Sequence, residues 1–147
     1  MFKHILLPTD GSKLSGKAVK TGVEFARKTK ARITVIHVVP EFKILVDEGI
    51  TVLNPALKKR FEEEGRGRAQ KMLDEVAAKA RARGVRCSTV SVASDLPYQQ
   101  IIATARKEKC DLIMMASHGR RGLSSLLLGS ETAKVLTHSK VPVLVLR

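Results

Sequence analysis

The sequence predicts an α/β protein: a doubly wound, open, five-stranded parallel sheet in a single domain over residues 1–147. Three observations carry that prediction. Short apolar runs rich in β-branched residues alternate with longer amphipathic stretches along the whole chain. The first run, the first amphipathic stretch and the second run fall within residues 2–39, a spacing that demands a crossover between parallel strands. A hydrophobic content of 44% over 147 residues suits one core rather than two.

Residues 2–7 form a short apolar run that stops at Pro8, and Thr9-Asp10-Gly11-Ser12 is a turn into a helix. From Ser12 to Thr29, Leu14, Ala18, Gly22 and Phe25 mark one helical face, with Val19, Val23 and Ala26 beside it. Lys13, Lys17, Lys20, Glu24 and Lys28 mark the other face, with Lys20, Glu24 and Lys28 at i,i+4 spacing. Ile33 to Val39 is a nearly continuous β-branched run, as in a strand buried on both faces. Residues 40–54 lack periodicity yet carry Ile44, Leu45, Val46, Ile50, Val52 and Leu53. Packing on the domain is the expectation for them, with a ligand roof or a partner contact as alternatives.

Asn54-Pro55 reads as an N-cap with proline at the first helical position. The helix from Pro55 to Arg83 ends with Gly84 and is expected to bury Leu57, Phe61, Met72, Leu73, Val76 and Ala80. Gly65 and Gly67 weaken its middle by about 1 kcal/mol each relative to alanine, which invites a kink or fraying. Lys58-Lys59-Arg60 and Glu62-Glu63-Glu64 read as a solvated face. Val85 to Val92 alternates as a third strand, and Asp95-Leu96-Pro97 starts a helix carrying Ile101, Ile102 and Ala105. Asp111 to Met115 is the fourth strand, Gly129-Ser130 opens a helix ending near His138, and Val141 to Leu146 is the fifth strand.

The stretch between the fourth strand and the last helix carries the chemistry. The first N–H groups of a helix lack partners within it and hold the positive end of its dipole, so an anion can supply the missing acceptors. Gly129 has no Cβ and lets a phosphate approach the backbone, while Ser130 and Thr132 add hydroxyls at the same helix end. The alternative is that Ser130 is an N-cap and Gly129 a turn residue. Asp10 is open to a similar choice between ligand contact and turn former or N-cap.

Gly119, nine residues, then Gly129-Ser130 resembles the nucleotide-binding signature of the universal stress protein family, G-x-x-G, nine residues, G-[S/T]. Ala116 stands in the place of that motif's first glycine. Ile5-Leu6-Leu7-Pro8-Thr9-Asp10-Gly11-Ser12 is similar to the family's first strand and turn, Val141-Pro142-Val143-Leu144-Val145 to its last strand, and the likeness covers the whole chain. The resemblance implies a Rossmann-like sheet of order 3-2-1-4-5, with the reversal between strands 1 and 4, and a site for ATP with Mg²⁺. It implies adenine on main-chain groups near Val38, ribose near Asp10 and Ala116, and phosphates on Gly119, Gly129, Ser130 and Thr132. Pro8, Thr9, Met115, His118, Arg120 and Glu131 flank these positions and complete the expected nucleotide-binding set. His118 is read as a phosphate contact or loop brace before a general base, and Glu131 is expected to turn to solvent, since inward it would repel phosphate.

The apolar run Val141 to Leu146, guarded only by Arg147, is an edge that tends to pair, and the resemblance implies a homodimer through residues 141–146. Three functions follow: an ATP-binding stress or signalling module whose unnamed protein partners change with nucleotide state, a slow ATPase, or a nucleotide-free dimeric interaction protein. No Walker A or GxGxxG sequence and no catalytic constellation is present, so any enzyme activity is at most weak ATPase.

The formal charge of +13 invites a nucleic-acid reading, but the basic residues are interleaved with Glu and Asp. Aromatic content is 3%, with no Trp and one Tyr, so no stacking platform exists and no specific nucleic-acid partner is expected. The apolar runs are too short and interrupted to insert in a membrane, and Phe2-Lys3-His4 leading straight into a strand is not a signal peptide, so a cytoplasmic protein is expected. Cys87 and Cys110 read as structural thiols, and His4 and His37 as packed side chains rather than metal ligands.

Overall fold

The computed structural model describes residues 1–41, 54–119 and 127–147. The elements are β1 (His4–Pro8), α1 (Lys13–Thr29), β2 (Arg32–Val39), α2 (Pro55–Ala82), β3 (Cys87–Ala93), α3 (Pro97–Lys107), β4 (Leu112–Ala116), α4 (Ser130–His138) and β5 (Val143–Leu146). Nearly all of the apolar segment within residues 40–54, together with Arg120 and Arg121, lies outside the described residues.

All strands pair in parallel in the order β3-β2-β1-β4-β5, as the resemblance implied. The strand period of two divides the core into two layers. Ile5 and Leu7 of β1 join Val19, Val23 and Ala26 of α1 and Leu73 and Ala80 of α2. Leu6, from the same strand, faces Ile101 and Ala105 of α3 and Val135 of α4. Every residue of β1 is buried, which places this strand at the centre and its carboxyl end at the middle of one sheet edge.

The helix starts follow local chemistry. Ser12 caps α1 by accepting the Ser15 N–H at 3.2 Å, and Asn54 caps α2 by accepting that of Ala56 at 3.0 Å. The third and fifth strands begin two residues later than expected. Val85 N–H still donates to Ala80 O at the end of α2, and Val141 N–H donates to Ser139 Oγ, so both belong to turns.

One expectation about the helices is corrected. Leu57 and Phe61 are not buried: they are 63% and 53% exposed. At 28 residues α2 runs about 42 Å, whereas the eight residues of β2 span about 26 Å, so the first turns of α2 lie beyond the sheet that would cover them. The helix is also continuous through Gly65 and Gly67, without a break. Glu24 does not bridge Lys20 and Lys28; its carboxylate pairs with Arg27 at 3.2 Å and with Arg83, which ties α1 to the end of α2. The charge runs of α2 do form a solvated face, with i,i+4 pairs Lys58–Glu62, Lys59–Glu63 and Arg60–Glu64.

A polar chain crosses the other end of the sheet. His4 Nε2 lies 2.8 Å from Thr34 Oγ1, which lies 3.2 Å from Ser88 Oγ, while the buried His4 Nδ1 has no hydrogen-bond partner. Burial, reinforced by Glu108, pushes the Cys110 thiol up to about 12, and burial also raises Cys87.

Candidate functional site

The strand order reverses beside β1, with β2 on one side and β4 on the other, and ligands of open α/β sheets collect outside the carboxyl ends of strands at such a reversal. At the end of β1, Pro8 and Thr9 are buried. Thr9 is held from three sides: its N–H donates to Ile36 O at 2.9 Å, its carbonyl accepts from His37 Nδ1 at 2.8 Å, and its hydroxyl lies 3.1 Å from Ser15 Oγ. These bonds fix where the next residue, Asp10, leaves the sheet. Asp10 Oδ1 accepts the Ser12 N–H at 2.9 Å, an Asx turn that realises the turn-forming alternative, and Ser12 rather than Asp10 is the helix cap. Its other oxygen points across the reversal: a Cβ on Gly119 would lie 2.3 Å from Asp10 Oδ2.

The end of β4 and the start of α4 are fastened together. Gly129 N–H donates to Ser117 O at 2.8 Å, and the Thr132 hydroxyl donates to Ala116 O at 3.0 Å. The approach at Gly129 is close enough that a Cβ there would lie 3.0 Å from His118 Cα and 3.2 Å from Ser117 O. The N-cap of α4 is Gly129, which has no side chain to accept the first N–H groups of the helix. Ser130, at the first helical position, is exposed. His118 Nδ1 lies 3.1 Å from the Oγ of its chain neighbour Ser117.

Most of the sequence-derived residues therefore converge, with some redistribution of roles. Pro8, Thr9, Asp10, Ala116, His118, Gly119, Gly129, Ser130 and Thr132 surround the reversal, and Arg120 lies outside the described residues. Val38, half-buried opposite Val92 near the end of β2, and Met115, 6% exposed, both pack in the layer beneath α3 and α4. Ala116 is 7% exposed, so its methyl is sheltered. Thr132, 3% exposed, already donates its hydroxyl hydrogen bond to Ala116 O. Glu131 is corrected from solvent to protein: its carboxylate accepts the Tyr98 N–H at 2.9 Å and pairs with Lys134 at 3.0 Å. The cause lies in α3, whose N-cap is Leu96 and whose first position is Pro97, so α3 lacks a side-chain cap of its own and takes one from α4.

Sequence reasoning missed His37, Ser117 and Tyr98. A histidine within a β-branched run looks like packing, and only the parallel register of β1 and β2 brings its Nδ1 to the Thr9 carbonyl. Among the described residues no three His, Cys, Asp or Glu side chains cluster as a metal site, and no helix is long and apolar enough to cross a membrane.

A parallel sheet reversing beside its central strand, with a glycine-capped helix start pinned to the neighbouring strand end, defines a Rossmann-like, doubly wound α/β protein. The chain belongs to the universal stress protein family, whose model it matches over residues 1–147. It is similar to universal stress protein MJ0531 of Methanocaldococcus jannaschii, 36% identical over 149 residues that take in 100% of this chain and 83% of that relative. The solved structure of MJ0577, from the same organism, has a TM-score of 0.84 at 27% identity and covers 99% of this chain and 96% of its own. A universal stress protein solved in complex with cAMP shares the fold with a TM-score of 0.72 at 22% identity, covering 99% of this chain and 97% of its own.

Proposed function

We propose that residues 1–147 act as one ATP-binding domain, a cytoplasmic stress-response or signalling module that works as a nucleotide-dependent homodimer. The observation that carries this reading is the start of α4: its N-cap, Gly129, has no side chain to satisfy it, the Gly129–Ser117 bond draws it against the end of β4, and Asp10 approaches Gly119 across the reversal. Backbone N–H groups at a helix start suit phosphate oxygens, and a carboxylate at the end of β1 suits ribose hydroxyls. The fold neighbour holding cAMP supports an adenine nucleotide. In this reading adenine lies near Val38, ribose near Asp10 and Ala116, and phosphates on Gly119, Gly129, Ser130 and the first-turn backbone. Mg²⁺ enters with the triphosphate, since the described residues offer no metal cluster of their own.

In this reading turnover is absent or slow, with His118, whose Nδ1 lies 3.1 Å from Ser117 Oγ, contacting phosphate rather than acting as a general base. Ala116, in the place of a motif glycine, favours the nucleotide-free alternative. The experiment is to denature the purified protein, assay the released nucleotide, and titrate the stripped protein with ATP and millimolar Mg²⁺. ATP in the supernatant and saturable heat support the reading; product release over hours identifies a slow ATPase. If the wild type neither carries nor binds ATP while Ala116→Gly binds, the chain is a nucleotide-free interaction protein.

The dimer rests on β5, which lies at the sheet edge and exposes Leu144 at 39%. Antiparallel pairing of two such edges closes a two-fold dimer. Light scattering at micromolar concentration should show a dimer that Leu144→Lys shifts to monomer; a wild-type monomer rules the dimer out.

A further inference from the structure

On the face opposite α3 and α4, α1 packs over β1 and β4 while α2 packs over β2 and β3, and a furrow of about 560 Å³ runs between the two helices. Small-molecule sites span roughly 300–1,000 Å³. Its floor is Val19 and Val23 of α1, core residues only 6% and 5% exposed, and its open apolar side is the half-buried Met72 and Val76 of α2. Lys20, Lys79 and Arg83 line it as cations against Glu75. Arg83 is taken by Glu24, and among the described residues neither Lys20 nor Lys79 is in an ion pair. The α1 wall is open at Gly16, where an added Cβ would meet nothing within 4 Å.

We infer that the furrow between α1 and α2 binds a small amphipathic anion, an alkyl carboxylate whose chain lies along Val19, Val23, Met72 and Val76 and whose head is held by Lys20 and Lys79. The chain leaves water along these side chains, and the two ammonium groups give the site its preference of sign. Thr9, Gly11 and Ser12 line the furrow, while the Asp10 carboxylate points to Gly119 at the strand reversal. The furrow therefore adjoins the nucleotide crevice at Thr9 and lies on the α1–α2 side of the turn that begins α1, while the Asp10 carboxylate lies on the side of Gly119.

The test is calorimetric titration of the whole protein at neutral pH with sodium decanoate, decan-1-ol and decyltrimethylammonium. Decanoate should bind saturably, with decanol and the cation at least tenfold weaker. Gly16→Leu, which fills the furrow at a point where leucine suits a helix better than glycine, should remove decanoate binding without lowering the unfolding midpoint. The surface pair Lys20→Glu and Lys79→Glu should weaken it at least tenfold, whereas Gly129→Val should leave it unchanged, which separates this site from the nucleotide site. Absence of saturable decanoate binding at millimolar concentration overturns the inference. So does equal binding by Gly16→Leu, or binding of the cation as tight as that of decanoate.

Discussion

Asp10 and Gly119, 109 positions apart in sequence, meet across the strand reversal so closely that a single methyl on Gly119 would lie 2.3 Å from Asp10 Oδ2. The contact joins the turn after β1 to the loop after β4 and makes one crevice of two separate motifs. A carboxylate is the flexible end of a side chain, so the added methyl would be met by turning Asp10 away, at the expense of whatever the carboxylate holds.

Gly119→Ala is therefore expected to weaken ATP and adenosine alike, by about tenfold or about 1.4 kcal/mol, with little loss of stability. Asp10→Ala should reproduce the effect on both ligands. Calorimetry with the two ligands on both variants is the check, and an alanine at 119 with wild-type affinity would remove Asp10 from the ribose half of the site.

Gly129 acts on the phosphate half. Its Cβ position is only 3.0 Å from His118 Cα, so Gly129→Val must push the start of α4 away from the end of β4. ATP affinity should then fall far more than adenosine affinity. Ser130→Ala, on an exposed side chain, should cost about 1 to 2 kcal/mol in ATP binding if its hydroxyl meets phosphate. Equal losses for ATP and adenosine in the Gly129 variant would mean that phosphate is bound elsewhere.

The Thr132 hydroxyl joins α4 to Ala116 O in a buried bond of 3.0 Å, which makes it a stability element first. Thr132→Ala should lower unfolding free energy by about 1–2 kcal/mol in urea, and Thr132→Ser should recover most of it because the donor is restored. A wild-type urea midpoint for the alanine variant would contradict this role.

Stability should also depend on His4. Burial holds its imidazole below the ordinary 6.5, with Arg32 adding to the effect and Glu108 and Asp111 opposing it. The unfolded chain takes up this proton at a higher pH than the folded one, so just below 6.5 the unfolded state binds more protons and stability falls as pH falls. The contribution is complete above the ordinary value and is lost on descending to the folded value. Urea midpoints at about pH 7.5 and about pH 5.5 should show a smaller drop for His4→Gln than for wild type. An equal drop would assign the pH dependence to other groups.

Read along the chain alone, the sequence determined the alternation of strands and helices, because apolar period, caps and turn residues act over a few neighbouring positions. Ser12, Asn54 and Gly84 mark helix ends for that reason, and the glycine and hydroxyl pattern at residues 119–132 already pointed to a phosphate-binding backbone. The βαβ spacing established parallel strands, but their order came from the family resemblance, since spacing does not say which strands become neighbours.

Only the tertiary structure decided what each polar group touches. The sequence places Leu57 and Phe61 on the same face of α2 as Leu73 and Ala80, yet burial stops where the sheet stops and leaves Leu57 and Phe61 exposed. Glu131 caps α3, Thr132 bonds to Ala116, and His37 braces Thr9, partners lying 33, 16 and 28 positions away. Hydrogen bonds hold only over about 3 Å, and distances of that size between remote segments are set by how the helices pack on the sheet.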